Sequence, residues 1–371
     1  MLEMCLGIAG TAKNTGKTTT TAAIISELRA RDIAFYLTSI GYDGENLDNI
    51  TGLPKPKLRV EQGDVVATAE RCLAVSTATF HVLAKTAIST PLGRVIIAKV
   101  VKPGLIVTAG PNKSSEVREL RALLRRLGPG VIIFDGALSR IAPMAETDGF
   151  VLATGAAKTP NIPQLARETE LIWRMANLPL VPRAAEIAAR RYAVVTLLAP
   201  DLSEVRRWNR PSLLTGQDID QVWEAMSGDG SYLYIPGILN VTALKALAAR
   251  CETQRRRLAL TFADPIKLMV TGDLGEYAAV LAKIEAAGIF AGVLRRVPLL
   301  AITVNPFYPD YRYETKTYEP AYVDFNRLQV AVQRHVAAPV FNIVKQGAKG
   351  LVDIIQVHAR PWENPAAVHF D

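Results

Sequence analysis

The stretch "GIAGTAKNTGKTTTT", from Gly7 to Thr21, constrains the fold of this chain more than any other. A phosphate chain carries several negative charges. Its site needs converging backbone N–H groups unobstructed by side chains, a lysine for the outer phosphates and a hydroxyl for Mg²⁺. Gly16, Lys17 and Thr18 supply these parts in that order. The flanks agree, because "MCLGIAG" reads as a short buried strand and "TTTTAAIISELRAR" places Ile24, Ile25 and Leu28 on one helical face. Strand, glycine loop and helix together put a helix N-terminus under the phosphates. The alternative is a Gly-Lys-Thr at an ordinary strand-to-helix turn.

The spacing departs from the common G-x-x-x-x-G-K-[ST] pattern, since Thr11 stands where its first glycine belongs and Gly10 comes one residue early. Gly10-Thr11-Ala12-Lys13-Asn14-Thr15-Gly16-Lys17-Thr18 instead resembles the loop of dethiobiotin synthetase and its relatives, in the P-loop class that includes the nitrogenase iron protein and the MinD/ParA ATPases. That resemblance implies phosphate binding by Gly10, Thr11, Lys13, Asn14, Thr15, Gly16, Lys17, Thr18 and Thr19. The MinD branch carries an extra lysine at the position of Ala12. Lys13 is one place away, so no contact across a dimer is assigned to it.

A second element of a phosphate site is "GPGVIIFDGALSR", where the apolar run Val131 to Phe134 ends in Asp135. A buried parallel strand delivers a carboxylate to its C-terminal edge in this way. There Asp135 can hold Mg²⁺ directly or through water, opposite the Thr18 hydroxyl. Ile33 to Ile40 reads as another parallel strand, emptying into a loop with Asp43, Gly44 and Glu45. In related ATPases an acidic residue on that loop orients the attacking water or a Mg²⁺-bound water, which makes Asp43 the third catalytic candidate beside Lys17 and Asp135. A solvated Asp-Gly turn is the competing reading of Asp43.

Length and composition bound the remainder. With 371 residues, two packed units are expected, or one enlarged α/β domain with additions. Hydrophobic residues make up 49% and charged residues 21%, with no apolar run of membrane length and no charged-then-apolar leader, so a soluble, cytoplasmic protein is expected. The three cysteines, Cys5, Cys72 and Cys251, are far apart, and the four histidines form no metal spacing with them. Cys5 reads as core filling; neither disulfide nor structural zinc is expected. The net charge of +8 arises from 43 basic and 35 acidic residues scattered in short clusters without aromatic interleaving. Nucleic acid needs a continuous basic stripe, so a solvated basic surface or an acidic protein partner is expected instead.

Between the two phosphate elements, "KLRVEQGDVVATAERCLAVST" reads as a short strand, a turn and a helix carrying Val65, Val66, Ala69 and Leu73. The stretch "TFHVLAKTAISTPLGRVIIAKVVKPGLIVTAG" alternates and is punctuated by "STPLG" and "KPG", which suggests an antiparallel meander at about 78–110. A serine of Ser114-Ser115 can cap the following helix, and the glycine turn at Gly110 is a plausible anion or substrate site. "DGFVLATGAA", "IPQLARETELIWRMA" and "YAVVTLLAP" resume strand, helix and strand. Asn112-Lys113 lacks the aspartate of the guanine-selecting Asn-Lys-x-Asp, so ATP is expected over GTP.

Taken together, "GTAKNTGKTTT", "LTSIGYDGE", "QGDVVATAERCL", "FDGALSR", "LATGAA" and "LLAITVNPFYP" resemble the nucleotide-binding subunit of the lysine 5,6-aminomutase reactivase, over Gly10 to Pro309. The resemblance implies an ATP-dependent chaperone that works with a second reactivase subunit to restore a coenzyme B12 and pyridoxal-phosphate aminomutase. The fold expected is an α/β P-loop NTPase with a mostly parallel sheet flanked by helices, an inserted β-meander and a C-terminal α/β unit. Residues 1–201 form the nucleotide domain in this reading and 202–371 the second domain, where Asp264-Pro265 and Asn305-Pro306 are strand-end turns with ligand binding possible. The tyrosine-rich "FYPDYRYETKTYEPAYVDF", too irregular for a helix, suits a protein interface or a loop packed on its own domain. Two other functions stay open: a small-molecule ligase of dethiobiotin-synthetase type, with Arg140 lining its pocket, and a nucleotide-sensing adapter. A homodimer is possible.

Overall fold

The computed structural model describes residues 2–41, 58–137, 142–226, 229–254, 256–271 and 273–363. In chain order the first elements are β1 (Leu2–Gly10), α1 (Lys17–Ala30), β2 (Phe35–Ser39), β3 (Leu58–Val60), β4 (Val65–Ala69), α2 (Glu70–Val75) and β5 (Thr79–Thr90). They are followed by β6 (Gly93–Lys102), β7 (Gly104–Ile106), α3 (Ser114–Arg125), β8 (Gly130–Ala137), β9 (Gly149–Gly155) and α4 (Ile162–Ala176). Next come α5 (Arg183–Ala189), β10 (Thr196–Leu198), β11 (Glu204–Arg207), α6 (Gly216–Ala225), β12 (Ser231–Ile235), α7 (Val241–Thr253), β13 (Leu258–Phe262), α8 (Leu274–Ala286) and β14 (Phe290–Val293). The last group is β15 (Leu299–Asn305), β16 (Phe307–Arg312), β17 (Thr317–Tyr322), α9 (Phe325–His335), β18 (Val340–Phe341), α10 (Ile343–Gln346), α11 (Lys349–His358) and β19 (Arg360–Pro361).

The chain divides into two compact units, one running to Thr169 and resuming at Leu299, the other spanning Glu170–Pro298. This corrects the sequence-based boundary between residues 201 and 202. The physical reason is strand pairing: β15, read as part of the second domain, lies parallel to β9 with Asn305 beside Gly155. The second unit is therefore an insertion between two neighbouring strands of the first unit's sheet.

The first unit holds a ten-stranded sheet ordered β18-β15-β9-β1-β8-β2-β4-β6-β5, with β19 pairing antiparallel to the start of β1. Strands from β18 to β4 are parallel, whereas β6 and β5 are antiparallel. The expected meander is thus a hairpin on the sheet's edge, and β7 leaves it to pair with β3. After β1 the chain moves to one side, then crosses from β8 to β9 on the other. Such a reversal opens a crevice at the carboxyl ends of the strands beside β1.

Burial explains the elements. β1 is buried from Met4 to Gly10, as a central strand covered on both faces must be. The α1 face carrying Ile24, Ile25 and Leu28 is buried as expected and shares its core with Leu6, Ile8 and Val151 of the sheet and Leu351 and Ile355 of α11. Val65, Val66 and Ala69 belong to strand β4, not to a helix; the helix α2 starts only at Glu70. Their near-continuous burial marks a covered strand. Helix α3 begins at Ser114 with Lys113 as N-cap and no side-chain cap, so neither serine caps it.

The second unit has its own five-stranded sheet, ordered β11-β10-β12-β13-β14, in which β12, β13 and β14 are parallel. Asp264 follows β13, is buried, and pairs with Lys267 at 2.5 Å while accepting a hydrogen bond from the Ile266 N–H. It is a satisfied turn residue. Among the described residues, no helix is long and apolar enough to cross a membrane.

Candidate functional site

The loop between β1 and α1 is shaped by its own residues. Gly16 is the N-cap of α1 at φ +88°, a left-handed conformation that favours glycine, and a Cβ there would come within 3.1 Å of Asn305 Cβ. Asn14 also has positive φ, +61°. No side chain caps α1, and its first turn carries no acidic residue. The positive end of the helix dipole is therefore not neutralised from within the helix.

Several of the expected phosphate-binding residues serve the loop itself. The Thr11 N–H donates to the Ala153 carbonyl at 3.0 Å, and its hydroxyl donates to Thr154 Oγ1 at 3.1 Å, so both polar groups face β9. Thr15 is buried, with its hydroxyl donating to the Ala12 carbonyl at 2.9 Å. Gly10 lies beneath the side chains of Lys17 and Thr15. Lys13 is exposed, whereas Lys17, Thr18 and Thr19 are half-buried in the first turn of α1.

Asp135 is brought to this loop by register. In β8 it lies opposite Ile8 of β1 and Ser39 of β2, near the carboxyl ends of all three strands. Its Oδ1 stands 2.8 Å from Lys17 Nζ, with the carboxylate almost fully buried. The contact is electrostatic, since Oδ1 accepts no hydrogen bond of good geometry. A buried carboxylate oxygen facing one ammonium group is a ready acceptor for a second cation. Thr18 follows Lys17 in the chain, and a carboxylate with a hydroxyl is the hard-oxygen kind of donor that Mg²⁺ prefers. Among the described residues, no group of three or more His, Cys, Asp and Glu side chains could hold a metal. Any metal here would take its other ligands from phosphate oxygens and water.

Asn305, expected as a strand-end turn with ligand binding possible, lies against the glycine loop. Its Nδ2 donates to the Asn14 carbonyl at 2.9 Å, closing the glycine loop from the side of β15. A buried hydrogen bond at 2.8 Å between the hydroxyls of Thr20 and Thr303 ties α1 to the same strand. The Gly110 turn also reaches the carboxyl edge, with the Gly110 N–H donating to the Gly41 carbonyl and the Gly41 N–H to the Pro111 carbonyl. Asp43 and Glu45, and likewise Arg140, lie outside the described residues.

Compared with known protein families the chain matches none, and it has no significant match among curated proteins.

Proposed function

We propose that this chain is a P-loop ATPase that binds MgATP on the loop Gly10–Thr19, and that it acts as the nucleotide-binding subunit of a reactivating chaperone for a coenzyme B12 and pyridoxal-phosphate aminomutase of the lysine 5,6-aminomutase type. The ATPase half is carried by the Lys17–Asp135 pair, which puts a cation at the start of α1 and a buried carboxylate beside it. The chaperone half rests on the sequence resemblance alone, as does its working with a second reactivase subunit; the cytoplasm as its place rests on composition.

The chemistry follows from that pair. A triphosphate, with more negative charge than one carboxylate, draws Lys17 away from Asp135 and onto the outer phosphates. The backbone N–H groups at the start of α1 take the remaining phosphate oxygens. Asp135 and Thr18 are then the residues that hold Mg²⁺, which when bound neutralises charge developing between the β- and γ-phosphates. Asp43 is the residue proposed to orient the attacking water.

The test is hydrolysis of ATP measured alone, with the aminomutase, and with the aminomutase carrying damaged cobalamin. The proposal expects slow basal turnover, accelerated by the damaged enzyme. ATP hydrolysis indifferent to the aminomutase, but dependent on an added small amine and CO₂, would favour the ligase reading instead.

A further inference from the structure

We infer that the Asn305 carboxamide is a positioning residue that couples the glycine loop to the aromatic hairpin β16–β17, so that a nucleotide on the loop alters the hydrogen bonding of the hairpin. This inference rests on the nucleotide-binding reading above.

Asn305 is fixed on every side. Its carbonyl accepts the Ala156 N–H at 2.9 Å, and a Cβ on its register partner Gly155 would fall 2.2 Å from that carbonyl oxygen, which is why glycine is required there. The side-chain amide is used at both ends: Nδ2 donates to the Asn14 carbonyl at 2.9 Å and Oδ1 accepts the Phe307 N–H at 3.2 Å. One partner demands a donor and the other an acceptor, so the amide has a single allowed orientation.

The consequence on the loop side comes from peptide planarity. The Asn14 carbonyl and the Thr15 N–H belong to one trans peptide and point in opposite directions. Holding that carbonyl therefore aims the Thr15 N–H, one of the donors in the loop. If an arriving phosphate draws this N–H toward itself, the peptide turns and the carbonyl moves relative to Asn305 Nδ2.

On the hairpin side, Phe307 is the first residue of β16 and pairs with Tyr322 at the end of β17. Their rings meet edge to face with centroids 5.8 Å apart, and Tyr322 stacks on Phe325, over which Lys345 sits at 4.5 Å. The Val323 N–H donates to the Pro306 carbonyl at 3.0 Å, next to Asn305 in the chain. A shift of the Asn305 amide thus acts on the first rung of a hairpin that belongs to a two-stranded sheet of its own. Two-stranded hairpins are only marginally stable, so a change at the first rung spreads along it.

The experiment is amide hydrogen exchange on the full chain, with and without saturating MgATP or MgADP, read at residues 11–21 and 307–322. Wild type should show slower exchange at the loop with nucleotide, and the hairpin's exchange should change by about threefold or more in either direction. In Asn305→Ala the loop should still be protected at saturation, with affinity weaker by about five- to tenfold, and the hairpin response should vanish. Asn305→Asp, which keeps the acceptor for Phe307 but replaces the donor to Asn14 with a charged acceptor, should likewise lose the hairpin response at saturating nucleotide. Protection of the loop without any hairpin change in wild type, or a hairpin response that survives both substitutions, would overturn the coupling alone. No protection of residues 11–21 in wild type would overturn the nucleotide-binding reading and the coupling with it.

Discussion

Lys17 Nζ lies 2.8 Å from Asp135 Oδ1, so the cation proposed to meet phosphate and the carboxylate proposed to meet metal hold each other in place. Separating the two roles is a direct test. Asp135→Asn and Thr18→Val should each leave most of the nucleotide affinity intact while lowering Mg²⁺-dependent hydrolysis by about a hundredfold or more. Calorimetric titration with nucleotide beside a phosphate-release assay reads both quantities, and unchanged hydrolysis in Asp135→Asn would remove that residue from the metal site.

The Thr20–Thr303 hydrogen bond lies wholly in the core. Replacing one partner strands the other, whereas replacing both removes the need for either. Thr20→Val should cost about 1–3 kcal/mol by urea unfolding, and Thr20→Val with Thr303→Val should recover part of that loss. Strict additivity of the two single changes would mean that the hydroxyls do not depend on each other.

Gly110 is required by close approach. A Cβ there would come 1.8 Å from the Ser39 carbonyl oxygen, which no side-chain rotation relieves. Gly110→Ala should therefore destabilise by about 3 kcal/mol or more. Gly63 provides the contrast, because at φ +95° an added Cβ would meet nothing within 4 Å. Gly63→Ala should cost only the backbone penalty of about 1–2 kcal/mol. Equal midpoints for the two variants in chemical denaturation would contradict the packing described at the end of β2.

Alkaline pH should destabilise both units. Burial pushes the Cys5 thiol in β1 up to about 12 from its ordinary 9.0. In the second unit burial pushes Cys251 up to about 11 and Tyr234 up to about 12, with the Asp264 charge adding to the shift on Tyr234. Burial also raises Tyr277. These groups stay protonated when folded but ionise when unfolded, so the unfolded state binds fewer protons above its ordinary pKa values. Their stabilising contribution is complete below about pH 9 and falls as pH rises through 9 to 12. Urea midpoints measured from about pH 7 to 10.5 should be flat to about 9 and then decline; a midpoint that rises above about pH 9 would contradict the burial of these groups.

What the sequence made legible was local. β1, the glycine loop and the Ile24–Ile25–Leu28 face of α1 are contiguous, and periodicity plus turn chemistry suffice to read them. Asp135 was equally readable, because the apolar run before it describes a covered strand ending at the sheet's edge. Val65, Val66 and Ala69 were not, since a short apolar run fits a helical face as well as a covered strand. The harder loss was Asn305. Its turn chemistry is local, the Phe307 N–H two residues on, but its bond to Asn14 spans 291 positions. The insertion Glu170–Pro298 hides that neighbourhood from any contiguous reading of domains.

The nucleotide assignment stands most directly on Lys17, and the decisive measurement is MgATP affinity and turnover in Lys17→Ala against wild type. Removing the ammonium group takes away the cation proposed to meet the outer phosphates, so binding or hydrolysis should fall by about two orders of magnitude or more while circular dichroism shows the α/β fold retained. A folded Lys17→Ala that binds and hydrolyses MgATP as wild type does would contradict the phosphate site at Gly10–Thr19.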